Sequence, residues 1–305
     1  MNTELYPKLF RAIFSEDLVA SKEIAFEIMK AESEKSRSDT ASDFTFKNNC
    51  AELPLGTFIP RERLRHHVIL PDETEKHLLS IKQEYAARER LGQYNLSPKK
   101  KILFYGNLGC GKTLCAERIA WDLGLPLLKV RFNSFASSVF KESVSNLKAI
   151  FDYCKKQPVV LLLKECDFTA EACLSERSKD EILRIVNELY GLLDEYDAPG
   201  LVIATTSFNK SSFDEDEVLC QRFDDIVSIP APKTAERKRL LKTTLSAIPV
   251  SSEVDIDKIA NKLICCSAAE IISTALRAAK ISVLAGGDKI CKEHFTQALE
   301  ETSPF

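Results

Sequence analysis

From residue 101 to 232, short aliphatic runs alternate with amphipathic periods. The runs at 101–105, 127–132, 159–163 and 201–206 are rich in Leu, Ile and Val and predict strands. Between them, Ala116, Ile119, Ala120 and Leu123 keep the i, i+3, i+4, i+7 spacing of a helix, and Gly124 follows as its C-terminal stop. Val144, Leu147, Ile150, Phe151 and Cys154 mark a second helix; Ile182, Val186, Leu189 and Leu193 mark a third. Continuous aliphatic strands alternating with helices predict an α/β fold, a parallel sheet covered by helices on both faces. The pattern then changes. Residues 233–305 carry helical periods at 237–246, 256–263, 268–284 and 292–301 and no convincing strand, which predicts an all-helical C-terminal domain.

The N-terminal third is organised differently. Leu5, Leu9, Phe10, Ile13 and Phe14, then Leu18, Ile24, Ala25 and Ile28, predict two short helices within 3–35, followed by a polar connection at 33–43. Pro54, Gly56, Pro60 and Pro71 punctuate the next stretch as turns. A lead-in helix is expected from Asp72 to about Leu91, with Leu78, Ile81 and Tyr85 on one face. The expected organisation is a helical module and linker (1–50), an αβα domain with its lead-in helix (51–232) and a helical domain (233–305). No repeat of 20–50 residues is apparent.

Composition narrows the function classes. Hydrophobic residues make up 45% and charged residues 29%, which excludes wholesale disorder and fibrous structure. Forty-two Lys and Arg against forty-five Asp and Glu give a net charge of -3, a balance that argues against a nucleic-acid backbone or an anionic membrane as partner. The longest aliphatic run falls far short of the roughly 20 residues that span a bilayer. The first ten residues, MNTELYPKLF, lack the apolar stretch of a secretory signal, so the expected location is cytoplasmic. Ten cysteines form no CxxC pair and four histidines complete no zinc spacing, so reduced, mostly buried thiols are expected.

Three of the ten glycines fall between Gly106 and Gly111. The run Gly106-Asn107-Leu108-Gly109-Cys110-Gly111-Lys112-Thr113 fits GxxxxGK[ST], between a hydrophobic strand and an amphipathic helix that begins through Leu114. Glycines let successive N–H groups turn inward around phosphate oxygens, and the helix N-terminus adds partial positive charge. Lys112 is expected to reach the β- and γ-phosphates, and the Thr113 hydroxyl to ligate Mg²⁺.

A later strand ends Val160-Leu161-Leu162-Leu163-Lys164-Glu165. With GNLGCGKT, LLLKECD, LVIATTS, LCQRFDD and SAAEIISTALRAA in this order and spacing, the chain resembles AAA+ ATPases of the AAA clade over roughly residues 50–300. More narrowly it is similar to bacterial AAA ATPases that accompany subtilisin-like proteases. The resemblance implies that Glu165 polarises the attacking water and that Ser207 stands at the first sensor, normally Asn, with Asn209 two residues on. It implies that Arg222 is an arginine finger given to a neighbouring subunit, the alternative being a structural ion pair. Gln221 stands where a first arginine is common. Phe140, followed by Lys141, falls at the pore element, or else is a buried residue at a helix start. The helix that Ser267 opens would cover the nucleotide as a lid, and Ser267 is also a good N-cap.

Lys164 replaces an Asp that holds Mg²⁺ in the family. Unit charges 4 Å apart interact by about 4 kcal/mol at an effective dielectric near 20, so this reversal is expected to weaken Mg²⁺ binding while favouring phosphate, the alternative being that Lys164 turns away and water or Asp167 fills in. The implied ligands are therefore ATP or ADP, with Mg²⁺ in question. Two functions follow. One is an ATPase coupling nucleotide binding and hydrolysis to oligomer assembly and protein remodelling, in a ring with itself or with a paralogue, acting on a protein client or beside a subtilisin-like protease. The other is a nucleotide-binding scaffold with weak or no turnover.

Overall fold

The computed structural model describes residues 56–131, 140–166, 176–207 and 220–302. The chain divides into two compact units, Met1–Pro54 and Leu55–Phe305, and the described residues belong to the second. The helices expected within 3–35 and the 33–43 connection lie outside them.

In chain order the elements are β1 (Gly56–Ile59), a 3₁₀ turn (Arg61–Arg63), α1 (Asp72–Ala86), α2 (Arg88–Gln93), β2 (Lys101–Tyr105), α3 (Lys112–Leu123), β3 (Leu127–Arg131), α4 (Phe140–Lys156) and β4 (Val160–Lys164). There follow α5 (Glu176–Asp194), β5 (Leu201–Thr206), β6 (Asp225–Ser228), α6 (Thr234–Thr244), α7 (Ile256–Lys262), α8 (Ala268–Leu284) and α9 (Lys292–Thr302). The sheet order is β1-β3-β4-β5-β2-β6. β3, β4, β5, β2 and β6 pair in parallel, whereas β1 lies antiparallel along the β3 edge.

The four aliphatic strands form where expected because both of their faces are covered. Leu161, Leu162 and Ile203 are fully buried. One sheet face carries Ile102, Phe104, Leu127, Val160, Leu162, Leu201 and Ile203, which pack with Cys115, Ala116, Ile119 and Ala120 of α3 and with Leu78 and Ile81 of α1. Gly124 ends α3 in the left-handed region, φ 73°, and its N–H donates back to Ala120 and Trp121 carbonyls. The C-terminal helices have a separate core of Leu240, Leu241, Ile259, Ile271, Ala275, Phe295 and their neighbours.

Three details differ from the sequence reading. The 50–71 stretch holds the short edge strand β1, and 225–228 is the opposite edge strand β6. Each is four residues long with only one neighbour, so neither shows a continuous apolar run. The lead-in helix breaks at Ala87, where Arg88 Nη1 donates to the Tyr85 carbonyl (3.1 Å) and its guanidinium lies 4.7 Å from the Tyr85 ring centre.

Gly191 lies inside α5 with nothing within 4 Å of where a Cβ would project. Gly191→Ala is expected to raise the unfolding free energy by about 0.5–1 kcal/mol, read from the urea midpoint at unchanged slope, because helix-interior glycine carries an entropy cost that alanine lacks.

Candidate functional site

β2, β4 and β5 are parallel, so the segments leaving them open on the same sheet edge. That edge collects the glycine loop 106–111, Lys164 with Glu165, and Ser207 just beyond the last residue of β5. The loop's shape is set by backbone demands. Gly106 has φ 143°, and a Cβ there would lie 2.2 Å from the Ile229 carbonyl oxygen. At Gly109, φ 78°, a Cβ would lie 2.6 Å from Ser267 Oγ. No L side chain fits either position, so the loop can approach both β6 and α8 closely.

Lys112 Nζ donates to the Gly106 (2.5 Å) and Asn107 (2.9 Å) carbonyl oxygens, placing the ammonium over the loop. Burial pushes the Cys110 thiol up despite the nearby Lys112 charge, and pushes Cys115 up to about 12. Both stay protonated at neutral pH, so neither puts negative charge beside the loop. The eight cysteines among the described residues form no disulfide.

α8 docks directly on this loop. The Ala269 N–H donates to the Gly109 carbonyl (3.1 Å). Ser267 and Glu270 form a reciprocal capping box that fixes where the helix starts. A cavity of about 810 Å³ runs from Cys110, Gly111 and Leu114 between the lead-in segment and the C-terminal helices, with Ile272 of α8 and Arg239 of α6 on its far side. Its near wall is aromatic. His66 stacks on Trp121 at 4.2 Å between ring centres and 13° between planes, and the Arg61 guanidinium lies 5.6 Å from the same ring. The lead-in segment is tied to α3 by Arg65, which pairs with the buried Glu117 carboxylate (2.6 Å), and by the Arg118–Glu75 pair.

The end of β4 is occupied by an ion pair. Lys164 Nζ lies 3.2 Å from Glu165 Oε1. Parallel register places Lys164 opposite Arg131 and Leu162 opposite Lys129, so Lys129, Arg131 and Lys164 share a sheet face. Burial and the Lys164 charge pull the Lys129 pKa down. Glu165 takes the left-handed region, φ 58°, which for a residue with a Cβ costs about 1–2 kcal/mol.

Arg222 is at the other end of the sheet. It precedes β6, beside Asp224, whose carboxylate accepts from the Lys100 and Lys101 N–H groups at the start of β2. Its guanidinium pairs with Asp194 and lies 4.6 Å from the Tyr190 ring centre, both on α5. The fold therefore does not bring Arg222 to the glycine loop of its own chain. Phe140 is the first residue of α4; Asp167 and Asn209 lie outside the described residues.

Two comparisons with known proteins bear on this geometry. A family profile described as "ATPase family associated with various cellular activities (AAA)" matches residues 102–231. An uncharacterized AAA family ATPase, y4kL, of Sinorhizobium fredii (strain NBRC 101917 / NGR234), is 31% identical over 243 residues, 80% of this chain and 72% of the relative. The chain belongs to the AAA family of ATPases. The parallel sheet, the loop-to-helix turn and the helices that follow are those of an ATP-binding AAA domain.

The residues of this AAA chain fit a nucleotide. All three loop glycines have positive φ and two of them leave no room for a Cβ, the loop's lysine is cationic and its helix N-terminus points at the same place. The cavity beside it falls within the roughly 300–1,000 Å³ of small-ligand pockets. The donors for a Mg²⁺ fit poorly. Thr113 supplies a hydroxyl, but a cation stands at 164 and Glu165 is already paired with it.

Several contributors escaped sequence reasoning. His66 and Trp121 wall the cavity, with Arg61 against the Trp121 ring, Ile229 abuts Gly106, and Thr205 binds the Glu165 backbone. Only Thr205 left a trace in the sequence, as one of two consecutive threonines ending an aliphatic strand. Both are buried, at 3% and 1% exposure.

Proposed function

We propose that this AAA protein binds ATP or ADP in the crevice between the glycine loop and α8 and hydrolyses ATP slowly. The Lys164–Glu165 ion pair carries this reading. Glu165 is the group that would hold and polarise the attacking water, a role set first by hydrogen-bond geometry. An ammonium at 3.2 Å competes for that carboxylate and stands where negative charge would have gathered a metal. The same ammonium, with Lys129 and Arg131 on its sheet face, suits a polyphosphate. In the hydrolytic step Lys112 neutralises charge on the β- and γ-phosphates, Thr113 and Ser207 offer hydroxyls, and water held by Glu165 attacks the γ-phosphorus in line. The phosphoryl group transfers to water, leaving ADP and inorganic phosphate.

Arg222 belongs to a second half of the same proposal. It lies at the sheet edge away from its own glycine loop and is held by Asp194 and Tyr190, so it can serve a nucleotide only across a contact between copies. This supports assembly through the nucleotide site, in a ring of this chain or a mixed ring with an active paralogue. The boundaries 1–50, 51–232 and 233–305, a protein client, and a subtilisin-like protease as neighbour belong to this proposal as well. Among the described residues no helix is long and apolar enough to cross a membrane.

The test is phosphate release with Mg²⁺ present, run beside equilibrium dialysis for ADP. Wild type is expected to retain nucleotide and turn over slowly. Lys164→Asp restores a carboxylate and releases Glu165, and is expected to raise turnover by about tenfold or more, equivalent to about 1.4 kcal/mol of barrier. Equal rates in the two proteins would refute the slow-turnover reading. Loss of nucleotide from both would refute the site.

A further inference from the structure

The strand adjoining the Glu165 turn carries a residue with no assigned part in catalysis. Glu165 leaves β4 in a left-handed conformation, φ 58°, that a side chain bearing a Cβ adopts only when its surroundings impose it. Two hydrogen bonds impose it, and both come from Thr205. The Glu165 N–H donates to Thr205 Oγ1 (3.2 Å), and the Cys166 N–H donates to the Thr205 carbonyl (2.9 Å). The parallel ladder between β4 and β5 ends at Leu163 and Ala204. Beyond it a side-chain hydroxyl, rather than another main-chain carbonyl, receives the next free amide. That substitution turns the chain at Glu165 and throws its carboxylate off the line of the strand. Thr205 itself is 3% exposed and fixed in β5, so its hydroxyl is a rigid anchor. As a β-branched residue it has few rotamers, which limits where the hydroxyl can point.

We propose that Thr205 is a positioning residue for the ATPase step: its hydroxyl holds the Glu165 backbone in the left-handed turn that presents the carboxylate to the attacking water. The proposal rests on the reading of Glu165 as the water-polarising group. Thr205 touches neither water nor phosphate in this role; it acts through the Glu165 N–H. Glu165 placed an ångström away would still pair with Lys164 but would no longer align the water, and misplacement on that scale costs up to about 100-fold in rate.

The experiment compares Thr205→Val, which keeps the shape and removes the hydroxyl, with Thr205→Ser, which keeps the hydroxyl. Each is made in the full chain and again with Lys164→Asp, where turnover is faster and easier to resolve. Hydrolysis of stoichiometric labelled ATP is followed in a single turnover, ADP affinity by equilibrium dialysis, and folding by thermal melting. Thr205→Val is expected to slow hydrolysis by about tenfold or more while ADP affinity stays within about twofold, and Thr205→Ser to recover most of the rate. A role in folding alone would lower melting temperature and affinity together and would not separate the two variants by rate. Glu165→Gln divides the remaining outcomes. If it abolishes turnover while Thr205→Val turns over at the wild-type rate, the positioning role is refuted and the base survives. If Glu165→Gln turns over normally, or if nothing turns over in either background, the reading of Glu165 falls and takes this proposal with it.

Discussion

Lys112→Ala is expected to weaken ATP and ADP binding by about 100-fold or more. The ammonium now donates to the Gly106 and Asn107 carbonyl oxygens at 2.5 and 2.9 Å. Phosphate oxygens in the loop offer it anionic acceptors in place of neutral ones. A hydrogen bond to a charged group contributes about 1.5–3 kcal/mol net, and losing contacts to two phosphates therefore costs about 3 kcal/mol, or roughly two powers of ten in Kd. Lys112 is half-buried at the start of α3 rather than in the core, so the melting temperature without nucleotide should hardly move. Equilibrium dialysis with labelled nucleotide reads the effect. A Kd within about threefold of wild type would show that the loop amides and the helix terminus hold the phosphates unaided.

The largest effect on stability is expected at Gly200, which enters β5. A Cβ there would lie 1.9 Å from the Val159 carbonyl oxygen and 2.8 Å from the Val159 nitrogen and carbonyl carbon. All three are backbone atoms, and the next residues, Val160 and Leu201, are paired across β4 and β5. Neither strand can retreat without breaking the centre of the sheet. Gly200→Ala is expected to lower the unfolding free energy by about 3 kcal/mol, at the upper end of overpacking costs, measured by urea denaturation. The Gly191→Ala change in α5, in open space, should move stability the other way. A Gly200→Ala protein as stable as wild type would mean that the β4–β5 entry is looser than the pairing implies.

The two glycines also mark the limit of sequence reasoning. Both are single glycines, Gly191 within a helical period and Gly200 after Pro199 at a turn, but nothing local says how much room a Cβ would find at either. One meets a neighbouring strand only because the chain crosses over and returns in parallel. The same division runs through the site. The glycine loop was legible because its chemistry is a backbone conformation, and backbone conformation is written into consecutive residues. β2 to β5 and the C-terminal helices were legible because burial on both faces, or on one face every third or fourth residue, leaves a periodic trace. β1 and β6 left none: they are strands because β3 and β2 presented unpaired edges to them.

By itself, then, the sequence determined an α/β nucleotide-binding domain followed by helices, the phosphate loop, and the reversal of charge at residue 164. Tertiary structure alone decided that Lys164 pairs with Glu165, that Thr205, forty residues on, holds that glutamate's amide, that His66 and Trp121 wall the neighbouring cavity, and that Arg222 faces away from its own loop. Propensity and periodicity act over a few residues, whereas strand order and register choose which distant side chains meet. Crossover connections fix that choice, and no single stretch of chain contains it.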